Sequence, residues 1–282
     1  MGRLDLGLPS YMGRMIISGL TVDGIPADIY SAEGRSPPSR ERKLWTPPDR
    51  NNVVYMDINS KTSVEEMEEK GGNPKLLLYD AMMGDPSGLL VVSNGFQTDC
   101  DAKWNGTERE KENLIDTIPR KGIYHRIKSE KIEIPEAIYS SLLQAGSEVD
   151  PIRTARIACA RKYDEEPDIT NIGIVIRPRT GGAFTSEDIV KIDPEIRLSK
   201  GEFVMFATYG VDRPPYYDAL PPDISNRMKY SRIINLDGTT PEELLEEVWK
   251  GLSKDILVGM AAAMRDKNKP CGFKFVTRNM EE

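Results

Sequence analysis

Short blocks of apolar and β-branched residues, separated by turn-forming residues, fill the early part of the chain. They are Met15-Ile16-Ile17, Ala27-Asp28-Ile29-Tyr30, Val53-Val54-Tyr55-Met56, Leu76-Leu77-Leu78-Tyr79 and Leu89-Leu90-Val91-Val92. Asp23-Gly24, Gly71-Gly72-Asn73-Pro74 and Gly84-Asp85-Pro86 bound them, so each reads as a strand of an antiparallel sheet. Asp23-Gly24 is the signature of a tight hairpin between the first two strands.

Helical spacing comes next. It covers Glu108 to Ile118 and Pro135 to Gln144, the second with Pro at the first helical position and Gly146 as a stop. Strands resume at Ile157–Ala160, Ile172–Ile176 and Phe203–Phe206. A last helix begins at Thr240-Pro241-Glu242-Glu243, where Thr caps and the acids complement the positive end of the dipole. Its Leu244, Leu245, Val248, Trp249 and Leu252 form one apolar stripe that belongs to a core. A final short strand surrounds Phe273-Lys274-Phe275-Val276.

Blocks of strands separated by helices predict an α+β fold of stacked layers, not a doubly wound parallel sheet. No repeat or low-complexity tract divides the 282 residues. A single domain over 1–282 is expected, with inserted loops at 37–52 and 213–232, both rich in Pro and Arg.

Charge and cysteine usage narrow the function. The formal charge is −7, and the basic residues are dispersed, which argues against a nucleic-acid partner. Apolar runs fall far short of the roughly 20 residues that span a bilayer. A cytoplasmic protein with no membrane association is expected. Cys100, Cys159 and Cys271 stand far apart, so neither a disulfide framework nor a zinc knuckle is signalled. With His125 as the single histidine, histidine-rich metal sites are excluded, and a histidine-based triad would have to use that one residue. His125 itself reads as a surface or hydrogen-bonded structural residue. No metal and no cofactor are expected.

Three constellations could carry chemistry. Gly34 to Arg40 places Arg35, Ser36 and Arg40 on a Pro-stiffened loop, which suits either a phosphate grip or a solvated surface. Val92 to Asp99 ends a strand in the polar cluster Asn94, Gln97 and Thr98 around Gly95. That cluster suits an amide or purine edge, or a simple turn. Glu148 to Ile157 runs acids into Arg153 and Arg156. It offers proton transfer with anion stabilisation, or surface ion pairs.

Taken in order, these segments resemble the archaeal-type IMP cyclohydrolase family. The matching elements are Tyr11-Met12-Gly13-Arg14, Arg35 to Arg40, Asn73-Pro74 to Tyr79, Val92 to Asp99, Thr154 to Ile157 and Ala207-Thr208-Tyr209. The similarity spans roughly residues 11 to 210. It implies a four-layer αββα sandwich like that of the N-terminal nucleophile hydrolases, with two stacked antiparallel sheets. It also implies closure of the purine ring of 5-formamidoimidazole-4-carboxamide ribotide, giving inosine monophosphate and water.

On that resemblance Arg35, Ser36 and Arg40 hold the substrate phosphate, and Asn94 and Thr98 recognise the base or amide. Glu148 transfers protons with Tyr79 as partner, and Arg156 stabilises developing negative charge. Such a ring closure depends mainly on placement, a proton shuttle and an oxyanion donor. The partner implied is a small nucleotide substrate, and homo-oligomerisation is left open. Met1-Gly2-Arg3 presents no terminal nucleophile, which disfavours a peptidase or amidase of the same fold. The alternative from another class is a protein that binds or senses a purine nucleotide without turnover.

Overall fold

The computed structural model describes residues 12–34, 37–58, 64–69, 78–95, 97–98, 122–146, 154–176, 179–180, 183–184, 189–208 and 231–280. The strands are β1 (Arg14–Leu20), β2 (Pro26–Glu33), β3 (Arg42–Trp45), β4 (Val53–Ile58), β5 (Tyr79–Gly84), β6 (Leu89–Ser93), β7 (Arg156–Lys162) and β8 (Ile169–Ile176). There follow β9 (Arg179–Thr180), β10 (Ala183–Phe184), β11 (Ile189–Arg197), β12 (Glu202–Ala207), β13 (Ser231–Asn235), β14 (Leu257–Arg265) and β15 (Phe273–Asn279). The helices are α1 (Pro37–Arg40), α2 (Val64–Glu69), α3 (Ile123–Lys128), α4 (Ile134–Ala145) and α5 (Pro241–Gly251).

These elements build a mixed α+β structure around two stacked antiparallel sheets. One sheet is six-stranded, in the order β13-β12-β1-β2-β14-β15. The other is seven-stranded, in the order β11-β8-β7-β6-β5-β4-β3, and β9 with β10 forms a separate ladder. Strand alternation explains the layering. In β1, Ile16 joins Tyr30, Ala32, Leu90, Val92 and Ile157 in the seam between the sheets. Met15 and Ile17 turn the other way, onto Leu244, Leu245 and Val248 of α5. The opposite outer face, with Leu89, Val91, Ala158 and Val175, is covered by Ile123 of α3 and by Ala137, Ile138 and Leu142 of α4.

Local chemistry sets the boundaries. At the β1–β2 hairpin Gly24 adopts φ +81° and donates its N–H to the Thr21 carbonyl at 2.8 Å, a conformation that favours glycine. The α5 start is a reciprocal capping box: the Thr240 side chain accepts from the Glu243 N–H, and the Glu243 carboxylate accepts from the Thr240 N–H. Helix α4 carries Pro135 in its first turn and stops at Gly146, φ 64°.

Several expectations shift. The strand expected at Leu76–Tyr79 is β5, which begins at Tyr79 and runs to Gly84. The stretch 37–52 holds α1 and the edge strand β3 as well as loop. Strands β11, β13 and β14 and helix α3 lack a counterpart in the sequence pattern. The helix expected at Glu108–Ile118 and most of the 213–232 loop lie outside the described residues. Cys159 and Cys271 are buried free thiols. Among the described residues no helix is long and apolar enough to cross a membrane.

Candidate functional site

Antiparallel register gathers one set of strand ends at a single rim of the sandwich. Met15 pairs with Ala207 and Arg14 with Ala32, so the start of β1 lies beside the ends of β12 and β2. In the second sheet Met56 pairs with Tyr79, Met82 with Val92 and Ser93 with Ala158. This places the start of β5 and of β7 beside the ends of β4 and β6. A hydrogen bond from Arg14 Nε to the Tyr79 hydroxyl, 3.2 Å, joins the rims of the two sheets.

Arg14 is held from several sides. Its N–H donates to Thr208 Oγ1 at 3.1 Å, and its guanidinium donates to the Glu33 carbonyl at 3.0 Å. The Glu33 carboxylate in turn accepts from the Met12 and Gly13 N–H groups at 2.5 and 3.0 Å. The guanidinium therefore reaches Tyr79 from a fixed base.

Tyr79 Oη also lies 2.6 Å from Tyr30 Oη. Tyr30 is fully buried, and burial together with the Tyr79 contact keeps its phenol well above the ordinary range, hence protonated. One of the two hydroxyl hydrogens is left over, and had Tyr30 accepted it would be its own, in the closed seam instead of at the rim, a cost of about 1–3 kcal/mol. Tyr30 therefore donates. Tyr79 oxygen accepts from both Tyr30 and Arg14, and its own O–H remains for a further partner.

The second half of the rim is the turn after β6. The Asn94 side chain extends the β6–β7 ladder. Its Oδ1 accepts from the Ile157 N–H at 2.7 Å, and its Nδ2 donates to the Ala155 carbonyl at 2.9 Å. The Thr98 hydroxyl bonds that of Ser93, and Ser93 donates to the Gly95 carbonyl at 3.1 Å. Asn94 and Thr98, both buried, thus shape the turn.

Gln97 Nε2 donates to Asn94 Oδ1 at 3.2 Å, while Gln97 Oε1 is buried with no hydrogen-bond partner. Over the Cα of Gly95 two polar atoms close in, Arg156 Nη1 and Gln97 Oε1. A Cβ at that position would collide with both. Glycine here leaves room for an acceptor and a cation to approach the same point.

The structure therefore brings Tyr79, Asn94, Thr98 and Arg156 to one rim and adds Arg14, Tyr30 and Gln97. Arg40 lies on α1, just beyond the end of β2. Its Nε donates to the Gly34 carbonyl at 3.0 Å, and it is exposed. Arg35, Ser36 and Glu148 lie outside the described residues. His125 is half-buried on α3. Tyr30 had no sequence signal tying it to Tyr79, and Arg14 only its place in the motif at 11–14, because the three sit on different strands of two sheets. Gln97 did carry one, being part of the polar cluster around Gly95.

A separate polar cluster occupies the seam deeper in the sandwich. Asp28 accepts from the Tyr163 hydroxyl, and Arg161 lies 3.8 Å away while donating to Ser18 Oγ at 3.2 Å and the Gly19 carbonyl at 2.8 Å. Ser18 bonds Thr170 at 2.8 Å, and Thr170 meets Cys159 Sγ at 3.1 Å. These residues are buried and link β1 and β2 to β7 and β8. Among the described residues no group of three His, Cys, Asp or Glu side chains is disposed to hold a metal ion.

Neither a family model nor a curated protein sequence matches the chain.

Proposed function

We propose that this protein is an IMP cyclohydrolase that closes the purine ring of 5-formamidoimidazole-4-carboxamide ribotide, on an αββα scaffold of the N-terminal nucleophile hydrolase type. One observation carries the reading. Residues scattered through the sequence as family-like motifs, Arg14, Tyr79, Asn94, Thr98, Arg156 and Thr208, meet at a single rim of two stacked sheets. Helices against both outer faces agree with the scaffold.

In the reaction the carboxamide nitrogen attacks the neighbouring formyl carbon, a tetrahedral carbinolamine forms, and water leaves as the ring becomes aromatic. Both reacting groups belong to one molecule, so holding them coplanar supplies much of the rate. Tyr79, with two donors behind its oxygen and its own O–H unspent, protonates or hydrogen-bonds the carbinolamine oxygen. Arg156 stabilises the negative charge that develops as the amide nitrogen attacks. Glu148 takes the proton from the attacking nitrogen, and Arg35, Ser36 and Arg40 hold the phosphate.

The test is ultraviolet detection of inosine monophosphate from the formylated ribotide, alongside an active control enzyme. Product formation supports the reading. Folded protein that binds the ribotide without turnover makes it a nucleotide sensor instead.

A further inference from the structure

We propose that Gln97 and Arg156 together read the edge of an amide, with Gln97 Oε1 accepting a ligand N–H and Arg156 donating to the adjoining carbonyl. The proposal rests on the ribotide reading above and names the group that the turn after β6 recognises.

The orientation of the Gln97 amide is forced by a chain of bonds. The Ile157 N–H can only donate, so the Asn94 atom 2.7 Å away is the oxygen. The Ala155 carbonyl can only accept, which fixes the other Asn94 atom as nitrogen. Asn94 Oδ1 then requires a donor from Gln97, and the Ile157 carbonyl at 3.5 Å asks the same. Gln97 Nε2 must face both acceptors, and Oε1 must face away from them.

That oxygen is left with nothing to accept from. Gln97 is 1% exposed and its Oε1 has no hydrogen-bond partner, although buried acceptors are nearly always satisfied. Arg156, 3% exposed, brings Nη1 to the same point above Gly95. An acceptor and a donor side by side complement the adjacent N–H and C=O of a carboxamide or a lactam. The substrate carries such an edge in its carboxamide, and the product carries it as N1–H beside C6=O. The two chain groups would hold the attacking amide in the plane of the imidazole, with the carbonyl polarised by Arg156.

The experiment measures calorimetric binding of inosine monophosphate and of 6-methoxypurine riboside 5′-monophosphate, whose N1 carries no hydrogen. Wild-type protein should prefer inosine monophosphate by roughly 10-fold or more, the usual effect of leaving a buried acceptor unpaired. Gln97→Leu should narrow that preference several-fold, leaving the part that comes from the Arg156 contact with the carbonyl. A merely structural Gln97 would lower both affinities together and leave their ratio unchanged, which overturns the proposal. So does a wild-type ratio near one with both ligands bound, an outcome that leaves the ribotide reading intact and needs no variant to fold. If neither nucleotide binds, the ribotide reading fails and the amide reading fails with it.

Discussion

The hydroxyls of Tyr30 and Tyr79 face each other at 2.6 Å across the seam between the two sheets, with Arg14 Nε 3.2 Å from the Tyr79 oxygen. The two phenols are not equivalent, since Tyr79 accepts twice and Tyr30 only donates.

Removing them should therefore cost different amounts. Tyr79→Phe strands two buried donors, those of Tyr30 and Arg14, and should lower stability by about 2–4 kcal/mol. Tyr30→Phe removes a donor and strands nothing, for about 1 kcal/mol. Urea denaturation of both single variants and the double variant checks this. The double variant should be less destabilised than the sum of the singles, and equal losses for the singles would reverse the donor assignment.

Turnover separates the proposed proton carriers. Glu148→Gln keeps size and hydrogen bonding but cannot accept a proton, so kcat should fall by roughly 100-fold or more with little change in ribotide affinity. Tyr79→Phe should cost less, because placement of the substrate survives. Steady-state kinetics with direct ribotide binding reads both, and a Glu148→Gln turnover near wild type removes that residue from the mechanism.

Arg40 tests the phosphate grip. One nitrogen is committed to Gly34, which holds the side chain beside the rim while the rest of the guanidinium stays available to an anion. Arg40→Ala should weaken ribotide binding by about 1.5–3 kcal/mol while leaving binding of the corresponding nucleoside nearly unchanged. Equal losses for the two ligands would move the phosphate elsewhere.

The seam cluster makes stability depend on pH in a predictable direction. Burial raises the Asp28 carboxyl above its ordinary 3.8, against the opposing pull of Arg161, Ser18 and Tyr163. A raised carboxyl binds its proton more tightly when folded. Its contribution is fully present below the unfolded value and is lost as pH climbs through the folded one. Wild-type stability measured against that of Asp28→Asn should therefore decline from about pH 4 upward. Urea midpoints for the two proteins over a pH series give the difference, and a difference that rises with pH contradicts the assignment.

The sequence made much of this fold readable where burial and pattern agree. The hairpin at Asp23-Gly24, the capped start of α5 and β-branched strands such as β8 all follow from local chemistry. Strand β14 does not. Its Leu-Val-Gly-Met-Ala-Ala-Ala-Met run is rich in good helix formers, yet it lies buried between β2 and β15. Tertiary pairing overrides intrinsic preference there, and small side chains suit a strand pressed between a sheet and a helix. Gly259, for example, would meet Asn279 if it carried a Cβ. The rim divides in the same way. Asn94, Thr98 and Arg156 stand out as polar residues at strand ends, whereas the Tyr30–Tyr79 contact depends on how two sheets face each other.

The place of β14 also governs how the chain can be made. Strand β2 is formed from residues near the beginning, but its partner on that side is residues 257–264, with Leu257 opposite Glu33 and Met264 opposite Ala27. During synthesis the β1–β2 hairpin leaves the ribosome with both ladder edges open: β12 covers the β1 side at residues 202–207, and more than two hundred residues must follow β2 before the strand that closes its side emerges. An open edge of that kind is a template for pairing with another chain, and closing so distant a contact is slow. The nascent protein is thus exposed to misassembly through β2 until residues 257–264 are made, and loss of β14 and β15 would leave that edge bare for good.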